Sequence, residues 1–331
     1  MALGAAIFGP EGPAITDWER AFFREYQPFG FILFARNVEH PDQVRRLCDQ
    51  LRDAAGHDAP VLIDQEGGRV QRLRAPHWRE YMPPLDQMEK SSDPLRAMWV
   101  RYRLIAAELR AVGIDVNCAP CADIAGRVTH PFLRNRCYGD DVATVIDASR
   151  QVAEALLDGG VLPVAKHIPG HGLAASDSHK ELPRVTASRQ FLEQQDFLPF
   201  KALADLPFGM TAHVVYEDID DSGPATTSQR MIQLIRQEIG FHGLLMTDDL
   251  SMEALSGDAG TRARAAMAAG VDVVLHCNGK AGEITAVAEA CGPMTDAALA
   301  RANAALALRK SPSSVDIHAL SEELDDLIGA A

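Results

Sequence analysis

The chain has 331 residues, 47% of them hydrophobic and 24% charged, and a formal net charge of -14. That length can bury a large core but cannot hold two full (β/α)8 barrels, and no stretch approaches the roughly 18 consecutive apolar residues of a membrane span. The negative charge disfavours nucleic acid and anionic membrane as partners, because both would be repelled over most of the surface.

The opening residues, MALGAAIFGPEG, have no Lys or Arg ahead of a very short apolar run. A secretory signal needs a positive start and a longer apolar region, so export is not expected. The six cysteines (Cys48, Cys118, Cys121, Cys137, Cys277 and Cys291) are scattered and mostly lie in apolar runs. This fits reduced thiols in a cytoplasm better than a disulfide framework.

In chain order, short apolar runs at 5–9, 30–35, 60–65, 115–120, 163–168, 209–214, 244–249 and 271–276 read as strands. Most are apolar at consecutive positions, as expected of parallel strands buried on both faces. Between the second and third runs, Val44, Leu47, Cys48 and Leu51 fall at i, i+3, i+4 and i+7 and place one apolar stripe against a sheet. Asp93-Pro94 caps and starts a helix that should end at Gly113, and Gly159-Gly160 and Gly270 repeat the order helix, glycine, strand. After Met294, Leu299, Ala302 and Leu306 are spaced to pack as a closing helix. Eight strands with interposed helices predict a (β/α)8 TIM-type barrel, and a doubly wound open sheet is the alternative. With no internal repeat or linker, residues 1–331 are expected to form a single domain.

A barrel builds its active site at the carboxyl ends of its strands. Here the third run ends in Asp64-Gln65-Glu66-Gly67-Gly68-Arg69 and continues to Arg72; the fifth passes through Lys166-His167 into Pro169-Gly170-His171-Gly172. The sixth ends near His213 and the seventh in Thr247-Asp248-Asp249. Singly, each reads as a cap or surface charge, and His213 as a hydrogen-bonded core residue. Their convergence favours function, because charges within apolar strands are costly unless they pair or face a site. Cys118 and Cys121 have the C-x-x-C spacing of a redox or zinc half-site, but no second pair has metal-site spacing, so they read as packing residues. His167, His171 and His179 with Asp248 could hold a metal in a barrel hydrolase. Against that, two of these histidines sit in a Gly-rich loop.

The stretch Lys166-His-Ile-Pro-Gly-His-Gly-Leu-Ala-Ala-Ser-Asp-Ser-His179 closely resembles the K-H-[FI]-P-G-H-G-x4-D-S-H signature of family 3 glycoside hydrolases, and Thr247-Asp-Asp-Leu-Ser-Met252 resembles that family's nucleophile segment. Phe31-Ile-Leu-Phe-Ala-Arg-Asn37, Asp64-Gln-Glu-Gly-Gly-Arg-Val-Gln-Arg72 and Arg136-Cys-Tyr-Gly139 have counterparts in its single-domain β-N-acetylglucosaminidases. The resemblance implies a retaining barrel enzyme that cleaves terminal β-linked N-acetylglucosamine from peptidoglycan (muropeptide) fragments in a bacterial cytoplasm. It implies Asp248 as nucleophile, His179 as acid/base oriented by Asp177, and Asp64, Arg72, Arg136, Lys166 and His167 as sugar-binding residues. Family 3 β-glucosidases usually carry their acid/base residue on a second domain, for which this chain has no room. The chain is expected to act as a monomer, with a small sugar as its partner and no metal or organic cofactor. Leu173 stands where the family often has Asp, and Cys137 where it often has Ser.

The chemistry of these residues agrees with that assignment. A retaining glycosidase needs a carboxylate on one face of the anomeric carbon and a proton donor on the other. A His with a nearby Asp can replace the usual second carboxylic acid, because imidazole titrates near ~6.5 and the carboxylate fixes its tautomer. Pro169, Gly170 and Gly172 would let their loop bend over a bound sugar.

Overall fold

The fold is taken from a computed structural model that describes residues 3–176 and 181–329. Eight strands close into a parallel barrel: β1 (Gly4–Phe8), β2 (Pro28–Leu33), β3 (Val61–Ile63), β4 (Val116–Asn117), β5 (Leu162–Ile168), β7 (Phe208–Thr211), β9 (Leu244–Asp249) and β10 (Val273–His276). Each pairs with its neighbours in this sequence, and β10 returns to β1 through Ala6↔Val274 and Phe8↔His276. The architecture is the (β/α)8 TIM-type barrel.

The consecutive apolar residues of the strands have two destinations. Ala5 and Ile7 of β1 share the barrel interior with Leu62, Val116, Val164, Met210, Met246 and Leu275, residues drawn from all round the barrel. Ala6 and Phe8, between them in sequence, join the outer layer where the helices pack. Successive side chains point to opposite faces, so burial on both faces requires an unbroken apolar run.

The helices begin and end where the caps direct. Val44, Leu47, Cys48 and Leu51 are all buried on the helix Pro41–Ala55, which stops at Gly56 with φ 74°. Asp93 accepts the amide of Arg96 to start the helix Pro94–Ala111. The helix Asp296–Leu306 closes the barrel floor, but through Ala298, Ala302 and Ala305 rather than Leu299. Small side chains let this helix approach the interior closely.

Two features carry no sequence signal. Arg184–Val185 (β6) and Val215–Tyr216 (β8) form a separate two-stranded parallel sheet. β3 and β4 are shorter than expected because side chains replace the ladder: Gln65 N–H donates to Asn117 Oδ1 at 3.0 Å, and Asn117 Nδ2 to the Gln65 carbonyl at 3.1 Å. Among the described residues no helix is long and apolar enough to cross a membrane.

Candidate active site

Asp64, where β3 ends, is followed by a loop that must turn back so that Arg72 can return to it. Buried Gln65 fixes that return, accepting the amides of Arg72 and Leu73 at 2.9 and 3.1 Å and donating to the Leu73 carbonyl. The turn requires Gly67: its φ is 108°, and a Cβ there would lie 1.9 Å from the Arg101 guanidinium. That guanidinium braces the loop through the carbonyls of Glu66 and Met82.

With the loop fixed, five charges of alternating sign form a chain across the top of the barrel. Arg72 Nη2 lies 3.0 Å from Asp64 Oδ2, and Lys166 Nζ lies 2.9 Å from Asp64 Oδ1 and 2.5 Å from Glu66 Oε1. Arg136, brought in just after the short helix Pro131–Arg134, grips Glu66 with two bonds of 2.9 and 2.8 Å. Burial alone would neutralise these groups, but the neighbours of opposite charge outweigh it. Arg136 and Lys166 hold the Glu66 carboxyl at about 2, Lys166 and Arg72 hold Asp64 still lower, and the two carboxylates raise the Lys166 ammonium.

Asp123, just beyond β4, organises the other side. Its Oδ2 accepts from His167 Nδ1 at 2.7 Å and its Oδ1 from the His171 amide at 2.6 Å. Burial opposes its charge, but His167 and His171 hold it at about 2. An ionised carboxylate only accepts, so His167 carries its proton on Nδ1 and turns Nε2 toward Asp248 Oδ2, 4.0 Å away. Burial and the neighbouring His167 push His171 down to about 4.

Asp248 sits near the end of β9, its side chain 19% exposed, with Oδ1 accepting the Asp249 amide at 2.8 Å. The Asp249 carboxylate is used structurally: Oδ1 accepts the amides of Ser251 and Cys277 at 2.9 and 3.1 Å. Asp248 faces a cavity of about 280 Å³ whose wall includes Asp64, Arg72, Arg136, Lys166 and His167. The structure thus brings the six described site residues together. His179 and Asp177 lie outside the described residues. His213 is buried away from this cavity, bonded to Thr226 Oγ1 at 2.7 Å and the Asp249 carbonyl at 3.0 Å, as a core histidine would be.

A model of the glycosyl hydrolase family 3 N-terminal domain matches residues 10–305. The chain belongs to glycoside hydrolase family 3. It is 39% identical over 286 residues to a β-hexosaminidase of Alkalilimnicola ehrlichii, covering 84% of this chain and 82% of the relative. It is 36% identical over 292 residues to one of Pseudomonas aeruginosa, covering 86% of each. Among solved structures, a family 3 β-N-acetylglucosaminidase from Paenibacillus matches with a TM-score of 0.87 at 28% identity, over 97% of this chain and 67% of the other. NagZ from Neisseria gonorrhoeae matches with a TM-score of 0.86 at 26% identity, over 100% and 98%. This family 3 glycoside hydrolase carries its charge chain on a closed barrel of eight strands.

Two residues escaped the sequence reading. Asp123 follows an apolar Cys-Ala pair, as Asp64 follows an apolar run, but it lies three residues beyond the fourth apolar run at 115–120. Glu66 stands in the same polar run as Asp64 with nothing in the sequence to set its role, and its burial between Arg136 and Lys166 makes it an anchor. Glu66→Gln is expected to leave two buried cations short of a partner and to lower stability by about 3–5 kcal/mol, read by thermal unfolding, with KM raised. Unchanged thermal stability with a selective loss of kcat would instead make Glu66 a reacting group.

Asp196 lies under the loop that carries His171. Gly170, with φ 138°, approaches so closely that a Cβ would sit 2.9 Å from the Asp196 Cβ and carbonyl. Burial, then the Asp123 charge, pushes the Asp196 carboxyl up to about 7. The folded value lies above the unfolded one of roughly 3.9, so its stabilising effect is complete below ~pH 4 and is lost as pH rises through about 7. The melting temperature of Asp196→Asn minus that of the native chain should therefore climb from pH 4 to 7 and level off. A difference flat across that range would contradict the assignment.

Proposed function

We propose that this enzyme is a retaining exo-β-N-acetylglucosaminidase that acts on terminal non-reducing β-linked N-acetylglucosamine in peptidoglycan (muropeptide) fragments. The observation that carries the reading is the Asp248 carboxylate set at a strand end in a cavity of about 280 Å³ beside the Asp64–Lys166–Glu66 charge chain. A cavity that small suits one sugar ring at a chain end better than a continuous cleft. The names of the relatives, β-hexosaminidase and β-N-acetylglucosaminidase, support the substrate class, as does a complex of the gonococcal relative with N-trifluoroacetyl-D-glucosamine.

In this reading Asp64, Arg72, Lys166, Arg136 and His167 accept from and donate to the sugar hydroxyls. Their mutual pairing fixes them beforehand, so binding needs little reorganisation. Asp248 attacks the anomeric carbon and its charge stabilises the oxocarbenium-like transition state. The leaving oxygen needs a proton from the opposite face. Asp64, Glu66 and Asp123 are held ionised and His171 neutral near pH 7, while His167 stands on the nucleophile's side. The resemblance of the segment Lys166–His179 to the family signature assigns the acid/base role to His179, assisted by Asp177, with water as the acceptor in the second half-reaction.

We place the enzyme in the cytoplasm as a monomeric single catalytic domain. The six unpaired cysteines support a reducing compartment. The test is hydrolysis of an aryl β-N-acetylglucosaminide and the matching β-glucoside with chelator present, with the first-formed anomer followed by NMR. Preferential release of β-N-acetylglucosamine, unaffected by chelator, is expected. Initial release of the α-anomer, or abolition by chelator, would overturn the reading.

A further inference from the structure

One carboxylate stands behind the site without entering it. Asp123 is 1% exposed and takes no part in the wall of the cavity, which does include His167 and His171. Its backbone extends β4 along β5: Cys121 bridges to Lys166 in parallel, and the Ala122 amide donates to the Lys166 carbonyl at 2.8 Å. The next side chain along is thereby set beside His167.

Both oxygens of that carboxylate are in use. Oδ2 accepts from His167 Nδ1 at 2.7 Å and from the Cys121 thiol at 3.4 Å, while Oδ1 accepts from the His171 amide at 2.6 Å and the His167 amide at 3.4 Å. All four partners donate, and an ionised carboxylate offers only acceptors. An isosteric amide cannot replace it. Whichever way an Asn were turned, its NH2 would face either the His167 ring N–H or the His171 amide, and both are donors.

Two parts of the site depend on those bonds. With Nδ1–H committed to Asp123, the His167 ring presents the lone pair of Nε2, 4.0 Å from Asp248 Oδ2. A proton on Nε2 instead would point at Asp248 and tie up the attacking carboxylate. The other part is the turn from His167 to His171, closed by the Gly170 amide on the His167 carbonyl at 2.8 Å and held by Tyr216 Oη on the Gly170 carbonyl at 2.6 Å. That turn leads into the segment that carries His179. We propose that Asp123 is a positioning residue for the reaction: it fixes the tautomer and aim of His167 beside the nucleophile and, through the His171 amide, sets the start of the acid/base loop. This role rests on the reading of Asp248 as nucleophile and His179 as acid/base.

Imidazole nitrogen NMR spectra of the purified full chain read the tautomer without turnover, with His167→Gln assigning the signal. The His167 proton should sit on Nδ1 in the native chain and should leave that nitrogen in Asp123→Asn. On an aryl β-N-acetylglucosaminide Asp123→Asn should lose about 10²-fold in kcat, the cost of a misplaced reacting group. The loss should be larger on a disaccharide, whose leaving group also needs the acid/base loop. Combined with His167→Gln, the same change should cost the aryl substrate at most a few-fold more than His167→Gln alone, because both remove one alignment. A merely structural role would lower the melting temperature and leave the tautomer and the coupling unmoved. If Asp123→Asn does not fold, Asp123→Glu, which keeps the charge but moves the oxygens, replaces it in the kinetics and should show the same coupling. A native proton on Nε2, or losses that multiply in the double variant, would overturn the proposal. No turnover of the sugar by the native chain would count against the proposed function instead, and the tautomer measurement would then decide alone whether Asp123 orients His167.

Discussion

Asp248→Ala is expected to lose on the order of 10⁴- to 10⁶-fold in kcat, on activated and natural leaving groups alike, while remaining folded. The size of the loss follows from the role proposed for the carboxylate: with no nucleophile, neither half of a double displacement proceeds, and leaving-group activation cannot compensate. Folding should survive because Asp248 is one of the more exposed members of the site and contributes little packing, in contrast to Glu66 and Asp123. Asp249→Asn tests the neighbour by a different signature. Its carboxylate holds the amides of Ser251 and Cys277, so the variant should unfold at lower temperature while keeping measurable turnover. Steady-state kinetics on an aryl and a disaccharide substrate, together with melting curves, separate the two.

The second large effect belongs to the proton donor. If His179 protonates the departing oxygen, its removal matters in proportion to how badly the leaving group needs a proton, and general acid catalysis contributes about 10²- to 10⁴-fold. His179→Ala should therefore lose most activity on a disaccharide, and less on a nitrophenyl glycoside, whose leaving group departs unprotonated. Azide should partly restore turnover of the activated substrate, because it attacks the glycosyl-enzyme without a general base. Asp177→Ala should fall in the same direction by less. Equal losses on both substrates with no azide rescue would make the histidine structural and move the role elsewhere. Glu66, ionised between two cations, is poorly suited to it. Glu181, on the exposed surface, would be the next candidate.

The barrel was legible because burying both faces of a strand forces apolar residues at consecutive positions, as Ala5, Ala6, Ile7 and Phe8 illustrate. Asp64, Lys166 and Asp248 were legible because a charge at the end of an apolar strand is costly unless something answers it. What answered it was not legible. Nothing in Gly-Gly-Arg-Val-Gln-Arg says that Gln65 folds the loop back, or that Arg136, seventy residues on, closes on Glu66. The same limit explains the cysteines. C-x-x-C spacing pairs residues only where the backbone turns between them, and here the chain runs on, sending Cys118 inward and Cys121 toward Cys137. The strands β6 and β8 have two residues each, too few to show any period.

The central claim is that Asp248 forms a covalent bond to the anomeric carbon. Incubating the chain with a fluorinated N-acetylglucosaminyl donor that slows the second half-reaction, then digesting and sequencing by mass spectrometry, reads that bond directly. The account predicts one sugar per chain, on the peptide containing Thr247-Asp248-Asp249 and localised to Asp248. A label on Asp249 or Glu66 would contradict it.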